Sequence, residues 1–283
     1  MSATVVTFPD GSLAGEGTVV RVAGDAVVLD VTPFHPVDHT WPDQPGDSGV
    51  LRLADGVVPV REAVMAAADA HGALFVAEEI PVKRGTEGWT WLVAHRIAAP
   101  APDALAPGVR AVAEVDGARR AGLSRGHTAC HLASLALDLA VADLWRKDPG
   151  ADALGTADFE ARANQTSSIR EDGSVDRYRL GKSLRRAGFD SEGFAASVSE
   201  RQDRINAQLA AWVATGAPSR IVVDGPTIID RRRWECALPE GTASIPCGGT
   251  HAHSLAEFAS ITVRLELTDP QSLLMTTTAV PRS

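Results

Sequence analysis

Residues 124–145 read SRGHTACHLASLALDLAVADLW, a run rich in Ala and Leu that stops before Asp148-Pro149-Gly150. Alanine and leucine are strong helix formers, Ser124 offers an N-cap, and proline with glycine ends the pattern, so the stretch predicts one long helix. A second helix is predicted over 191–215, where Val198, Ile205 and Trp212 recur every seven residues beside Leu209 and Val213, opposite a face of Arg, Gln and Asp. Shorter apolar runs follow at 220–223, 261–267 and 273–280 and read as strands. Long helices mixed with a sheet make this half α+β.

Upstream the pattern is different. Short apolar runs at 18–22, 26–31, 50–53, 58–64, 73–76 and 89–94 are separated by Gly24-Asp25, Asp55-Gly56 and His71-Gly72. Strands at this spacing predict a small β-barrel or a sandwich. Residues 64–70 are the exception, because their alanines favour a short helix. The run Ala98-Ala99-Pro100-Ala101-Pro102, followed by Pro107-Gly108, interrupts both helix and ladder hydrogen bonding and reads as a linker. Two domains are expected, 1–105 and 106–283.

Composition narrows the class. The 283 residues are 45% hydrophobic and 22% charged, ordinary globular usage. No stretch approaches 18 uninterrupted apolar residues, and MSATVVTFPDGS at the N-terminus lacks a basic segment and a long apolar segment, which argues against a membrane span or a secretion signal. Cys130, Cys236 and Cys247 are an odd number, so a reducing, cytoplasmic compartment is expected rather than a disulfide framework. A net charge of −9 disfavours indiscriminate nucleic-acid binding. RNA contact would need gathered arginines, for which Arg119-Arg120, Arg185-Arg186 and Arg231-Arg232-Arg233 are the candidates.

The histidines carry the chemistry. On a helix, His127 and His131 are four residues apart and project from one face, where both imidazoles can grip one cation. The segment IPCGGTHAH at 245–253 adds Cys247 and His251, a soft thiolate and a further imidazole, which are zinc-type ligands. Gly248 and Gly249 are expected to let the chain bend tightly between them. One zinc per chain is expected on His127, His131, Cys247 and His251, with His253 outside the shell and Cys130 and Cys236 as packing residues.

These motifs resemble the editing domain shared by alanyl-tRNA synthetases and the free-standing AlaX trans-editing proteins. The matching stretches, in the same order, are Val115-Asp116 with Arg119-Arg120, HTACH at 127–131, SSIREDGSVDRYRLG at 167–181 and CGGTH at 247–251. The first half is similar to the small barrel that precedes that domain, through TPF at 32–34, Pro36 and QPGDSG at 44–49. One departure is visible: residues 35–43 replace the family's short glycine-rich turn with a longer, glycine-free loop.

The resemblance implies a barrel-like N-terminal domain, a two-layer α/β editing domain, and hydrolysis of the ester linking a wrongly chosen amino acid to tRNA. The implied substrate is a small, hydroxylated amino acid such as serine. The altered loop brings in a threonine analogue such as fluorothreonine. Phe34, His35, Asp38, His39, Trp41 and Gln44 would shape the amino-acid pocket. Zinc would either activate a water or hold the amino acid while a separate water attacks. His127 and His131, with backbone donors at Gly248, Gly249 and Thr250, would form the catalytic group. The expected partner is misacylated tRNA, contacted by Arg119, Arg120, Arg231, Arg232 and Arg233, with neither DNA nor membrane. Two other functions share the motifs, a zinc hydrolase of a small ester or amide, and a non-catalytic tRNA-binding module with structural zinc.

Overall fold

The computed structural model describes residues 2–98, 101 and 104–282; Ala99, Pro100 and Pro102 of the expected linker lie outside the described residues. The fold is mixed α+β and divides into two compact units. Unit 1 holds residues 1–120, 221–232 and 248–250, and unit 2 holds 121–220, 233–247 and 251–283. The division falls at Arg120, beyond the expected boundary near 105, because the strand at 110–115 pairs on both sides with strands of unit 1.

Unit 1 is built from β1 (Val5–Val6), β2 (Ala14–Ala23), β3 (Ala26–Leu29), β4 (Val31–Thr32), β5 (Gly49–Leu53), β6 (Gly56–Val60), β7 (Glu62–Ala68), β8 (Leu74–Val76), β9 (Thr90–Arg96) and β10 (Arg110–Val115). Eight of them form one sheet in the order β6-β5-β10-β2-β3-β9-β7-β8, and β1 pairs with β4 in parallel. Among the described residues this sheet does not close, so the expected barrel is corrected to an open sheet. Closure needs the two end strands to pair, and here the ends are β6 and the three-residue β8. Buried clusters lie on both faces, one around Leu29, Phe34, Leu51 and Met65, the other around Val28, Val64 and Leu92.

The helix expected from Val64 is instead β7. Its residues Glu62 to Ala68 pair with β9 along their whole length, and Ala63 to Ala68 are all buried. Alanine's helix preference is a few tenths of a kcal/mol per residue, on the order of 0.5, and the paired, two-sided burial outweighs it.

Unit 2 takes in most of α1 (Gly117–Val141), then α2 (Glu160–Ala163), β11 (Asn164–Arg170), β12 (Gly173–Arg179), α3 (Lys182–Ala187), α4 (Ser191–Ala196) and α5 (Val198–Thr215). After β13 (Ser219–Val223) come the hairpin β14 (Arg232–Leu238) and β15 (Gly241–Pro246), then β16 (Phe258–Asp269) and β17 (Ser272–Pro281). An antiparallel sheet runs β11-β12-β17-β16. The core joins Leu132, Leu135, Ala136 and Leu137 of α1 to Ile205, Leu209 and Trp212 of α5 and to Tyr178, Val263 and Met275 of the sheet.

The long helix starts earlier than expected. Asp116 Oδ1 accepts the N–H groups of Ala118 and Arg119 at 3.1 Å, so Asp116 is the cap and Ser124 lies inside the helix. The second expected helix is interrupted at Ser197 into α4 and α5. The edge of β16 is covered by α5: Asn206 exchanges two hydrogen bonds with the Val263 backbone, and Gln202 Oε1 accepts the Leu265 N–H. Amide side chains along the edge occupy groups that would otherwise pair with a foreign strand.

Candidate metal centre

His127 and His131 share one face of α1 because they stand four residues apart on it, and beside them the helix lies hard against the β11–β12 turn. At Gly126 a Cβ would come within 2.1 Å of the Arg170 carbonyl oxygen and 2.7 Å of that of Gly173, so only glycine permits the approach. Cys247 follows directly on β15, and His251 stands four residues later.

The ligand atoms of His127, His131, Cys247 and His251 all lie within 4.8 Å of one another. Cys247 Sγ is 3.4 Å from His127 Nε2 and 3.3 Å from His251 Nε2. A tetrahedral zinc, with Zn–S near 2.3 Å and Zn–N near 2.0–2.1 Å, sets such S···N pairs about 3.5 Å apart. The donor set therefore fits zinc. His131 supplies a second test. Its Nε2 is buried and has no hydrogen-bond partner, a costly state unless a cation fills it. Burial holds its pKa down to about 4, so the imidazole is neutral at pH 7 and its lone pair is available to a metal.

Two further side chains shape the cluster. Thr128 Oγ1 accepts the Ala252 N–H at 3.0 Å and lies 3.2 Å from His251 Nδ1. A proton on Nδ1 shared with this oxygen leaves Nε2 as the lone-pair nitrogen, the one beside Cys247. Trp234, buried on β14, stacks on His131 with centroids 5.2 Å apart and lies against His251 at 5.5 Å. Thr128 could have been found in sequence, being the Thr of HTACH. Trp234 could not, since nothing local marks it.

The expected neighbours of the centre separate into distinct roles. His253 is exposed and stands outside the ligand group. Cys130 Sγ is 3.4 Å from Asp176 Oδ1, and burial pushes the thiols of both Cys130 and Cys236 up, the latter to about 11. Neither is a ready thiolate. Gly248 does not take a positive φ, so the expected tight bend does not require its missing side chain. Gly248, Gly249 and Thr250 belong to unit 1, where Gln44 grips Thr250 twice, accepting its N–H at 3.0 Å and donating to its hydroxyl at 2.9 Å. That N–H is thus committed to Gln44 rather than presented as an oxyanion donor.

In unit 1 the loop at 35–43 is bound to protein at most points. Phe34 is a core residue packed edge-on to His95 at 5.0 Å. His35 is buried with its ring against Phe8, its Nδ1 has no partner, and burial holds its pKa down to about 4. Burial would push the Asp38 carboxyl up, but hydrogen bonds from Thr40 and the nearby Arg84 hold it below its usual value. His39 Nε2 is 3.2 Å from the Val82 carbonyl and its ring stacks on Trp91. Burial raises the Asp43 carboxyl to about 6. The tip of the loop, Thr40 to Pro42, is exposed, with Trp41 at 52%.

The five expected RNA-contacting arginines divide likewise. Arg120 is buried, donating to both carboxylate oxygens of Asp47 and to the Pro33 carbonyl. Arg232 is buried too, donating to the carbonyls of Thr227 and Ile228, with its guanidinium over the Phe8 ring. Arg233 pairs with Glu235 at 3.0 Å, Arg119 is half-buried, and Arg231 is exposed. No helix among the described residues is long and apolar enough to cross a membrane. Scanned against models of known protein families the chain matches none, and a search of curated proteins returns no match.

Proposed function

We propose that this chain is a free-standing, zinc-dependent aminoacyl-tRNA deacylase of the AlaX type, acting in the cytoplasm. It would hydrolyse the ester that joins tRNA to a small hydroxylated amino acid, serine or a threonine analogue such as fluorothreonine. The observation that carries the proposal is the convergence of His127 and His131 with Cys247 and His251, two motifs 116 to 124 residues apart in the chain, on one cluster of ligand atoms. Their order with SSIREDGSVDRYRLG between them supports the editing reading.

Each side chain has a distinct task. His127, His131, Cys247 and His251 would hold the ion, which when bound supplies Lewis-acid polarisation. His131 contributes a nitrogen kept neutral by burial. Thr128 fixes the ring orientation of His251 through Nδ1. Trp234 excludes water from one side of the cluster, and a drier surrounding strengthens electrostatic interactions within it.

The test is release of amino acid from tRNAs charged with serine, glycine, alanine, threonine and a threonine analogue. Wild-type protein should accelerate release from at least one over buffer, and His131→Ala should not. Absence of turnover across the panel sinks the proposal. The burial of Arg120 and Arg232 favours a second reading, a zinc hydrolase of a small ester that needs no tRNA. Turnover of the free amino-acid ester at the rate of the charged tRNA would select it.

A further inference from the structure

One face of the unit 2 sheet is turned to the core, through Ile169, Tyr178, Val263 and Met275. The opposite face is open. On it β12 presents Val175, Arg177 and Arg179, whose cross-strand partners on β17 are Thr276, Leu274 and Ser272. β11 contributes Arg170, two residues along from Ser168, which pairs with Val175. β16 contributes Arg264, opposite Thr276. Residues opposite one another in an antiparallel ladder share a face, so the four arginines lie on the same side, and all four are exposed.

The charge of this face runs against that of the chain. Arg170, Arg177 and Arg179 have no carboxylate partner among the described residues, and Arg264 makes only a surface contact of 3.4 Å to Glu266. Asp269, at the end of β16, is turned onto the Gln271 N–H of its own hairpin. A chain of net charge −9 thus gathers four guanidinium groups, three of them without a carboxylate partner, on one hydroxyl-rich surface that carries Glu266 beside Arg264. From β11 to β16 the patch spans about 14 Å, three strand spacings of about 4.8 Å.

We propose that this face docks the phosphate backbone of duplex RNA. The proposal deepens the deacylase reading and rests on it for the choice of RNA as the polyanion. Guanidinium and hydroxyl groups are the side chains that contact phosphate oxygens. Single strands are held by stacking bases on aromatic rings, and the face has none, the chain's one tyrosine being buried beneath it. A membrane would call for large apolar anchors, and Val280 at the margin is the one exposed large hydrophobic residue of these strands.

Binding of fluorescein-labelled uncharged tRNA transcript to the full chain, followed by anisotropy between 50 and 300 mM KCl, tests the proposal; the salt range is of the order over which phosphate binding is read. Replacing Arg170, Arg177, Arg179 and Arg264 together by Ala should weaken binding at least about tenfold at the low-salt end. The slope of log K against log salt should become shallower by about three, at about 0.7–0.9 for each phosphate no longer neutralised. The corresponding Lys variant should retain binding, which excludes misfolding as the cause. Arg52→Ala, an exposed arginine of unit 1, should bind as wild type. A single-stranded oligouridine should bind weakly to every form.

Undiminished tRNA binding by the fourfold Ala variant overturns the proposal. So does tighter binding of oligouridine, of phosphatidylserine vesicles or of polyglutamate than of tRNA. Binding through this face without amino-acid release would sink the deacylase reading alone. Release that is undiminished at subsaturating charged tRNA in the fourfold variant would sink the face alone.

Discussion

His95 in unit 1 and His131 in unit 2 share a protonation state and differ in everything else that matters. Burial holds the pKa of each down to about 4. Yet both ring nitrogens of His95 are occupied, Nε2 by the Thr32 hydroxyl at 2.8 Å and Nδ1 by the Val27 carbonyl at 2.9 Å. His131 Nε2 is sealed from solvent with no such partner, among two further imidazoles and a thiol. A depressed pKa therefore does not separate a structural histidine from a candidate metal ligand. The separating quantity is the number of donors and acceptors left over, because a buried polar atom without a partner costs on the order of 1–3 kcal/mol.

The largest expected effect breaks the comparison if it is false. Purified protein should carry about one zinc per chain, and Cys247→Ala or His131→Ala should lose most of it, whereas His95→Gln should keep it. Zinc held by such ligand sets contributes about 10–16 kcal/mol of apparent binding free energy. Chelation should thus lower the thermal midpoint of wild type strongly and that of the two ligand variants hardly at all. Full metal content in both ligand variants, by elemental analysis, would remove the centre.

Charge extends the contrast. Arg120 and Asp47 in unit 1 are both buried, while in unit 2 the buried Arg201 meets an Asp143 that is mostly exposed. Truncating one member of a buried pair leaves the other charge stranded, which costs about 3–5 kcal/mol. Arg120→Ala should therefore shift the denaturant midpoint far more than Asp143→Ala, because Arg201 keeps the Ala140 carbonyl and water can reach the rest. Equal shifts would show that burial of both partners is not what sets the cost.

These cases mark where sequence is legible. HTACH and CGGTH could be read because ligand type and spacing are local properties, and the α5 stripe at Ile205, Leu209, Trp212 and Val213 could be read because helical period is local too. Arg120 could not. Whether its guanidinium faces RNA or Asp47 depends on a residue 73 positions away, and a doublet of arginines looks the same in both cases. β7 was misleading for a related reason, since the pairing with β9 that makes EAVMAAA a strand is not encoded in those residues. β11 and β12 and the hairpin β14–β15 also lacked an apolar alternation strong enough to announce them.

Acid should separate the histidines of unit 1 from other contributions. The folded pKa of His95, about 4, lies below the usual 6.5, so below pH 6.5 the unfolded chain takes up a proton that the folded chain refuses. Its share of stability is full above about pH 6.5 and is lost as pH falls towards 4, by up to about 3 kcal/mol. His35 has the same direction and adds to the loss. Urea unfolding at pH 7, 5.5 and 4.5 should show stability falling with acid, with a shallower fall in His95→Gln. An identical pH slope in the variant would mean that His95 is already protonated in the folded chain.

The smallest expected effect concerns the residue that lies between the two classes, Thr128. Its hydroxyl oxygen serves backbone structure by accepting the Ala252 N–H and serves the centre by meeting His251 Nδ1. Partners of this kind behind a ligating histidine are worth about 10–100-fold in metal affinity. Thr128→Val keeps the shape and removes the oxygen, so it should weaken zinc by that factor in a competition with a fluorescent chelator. Thr128→Ser keeps the oxygen and should stay near wild type. Stoichiometry at saturating zinc should remain one in both, since all four ligands are intact. If Val and Ser weaken zinc equally, the methyl packing of Thr128 orients His251 and the hydrogen bond does not; if neither weakens it, the contacts of His251 with Cys247, His127, His131 and Trp234 hold it without Thr128.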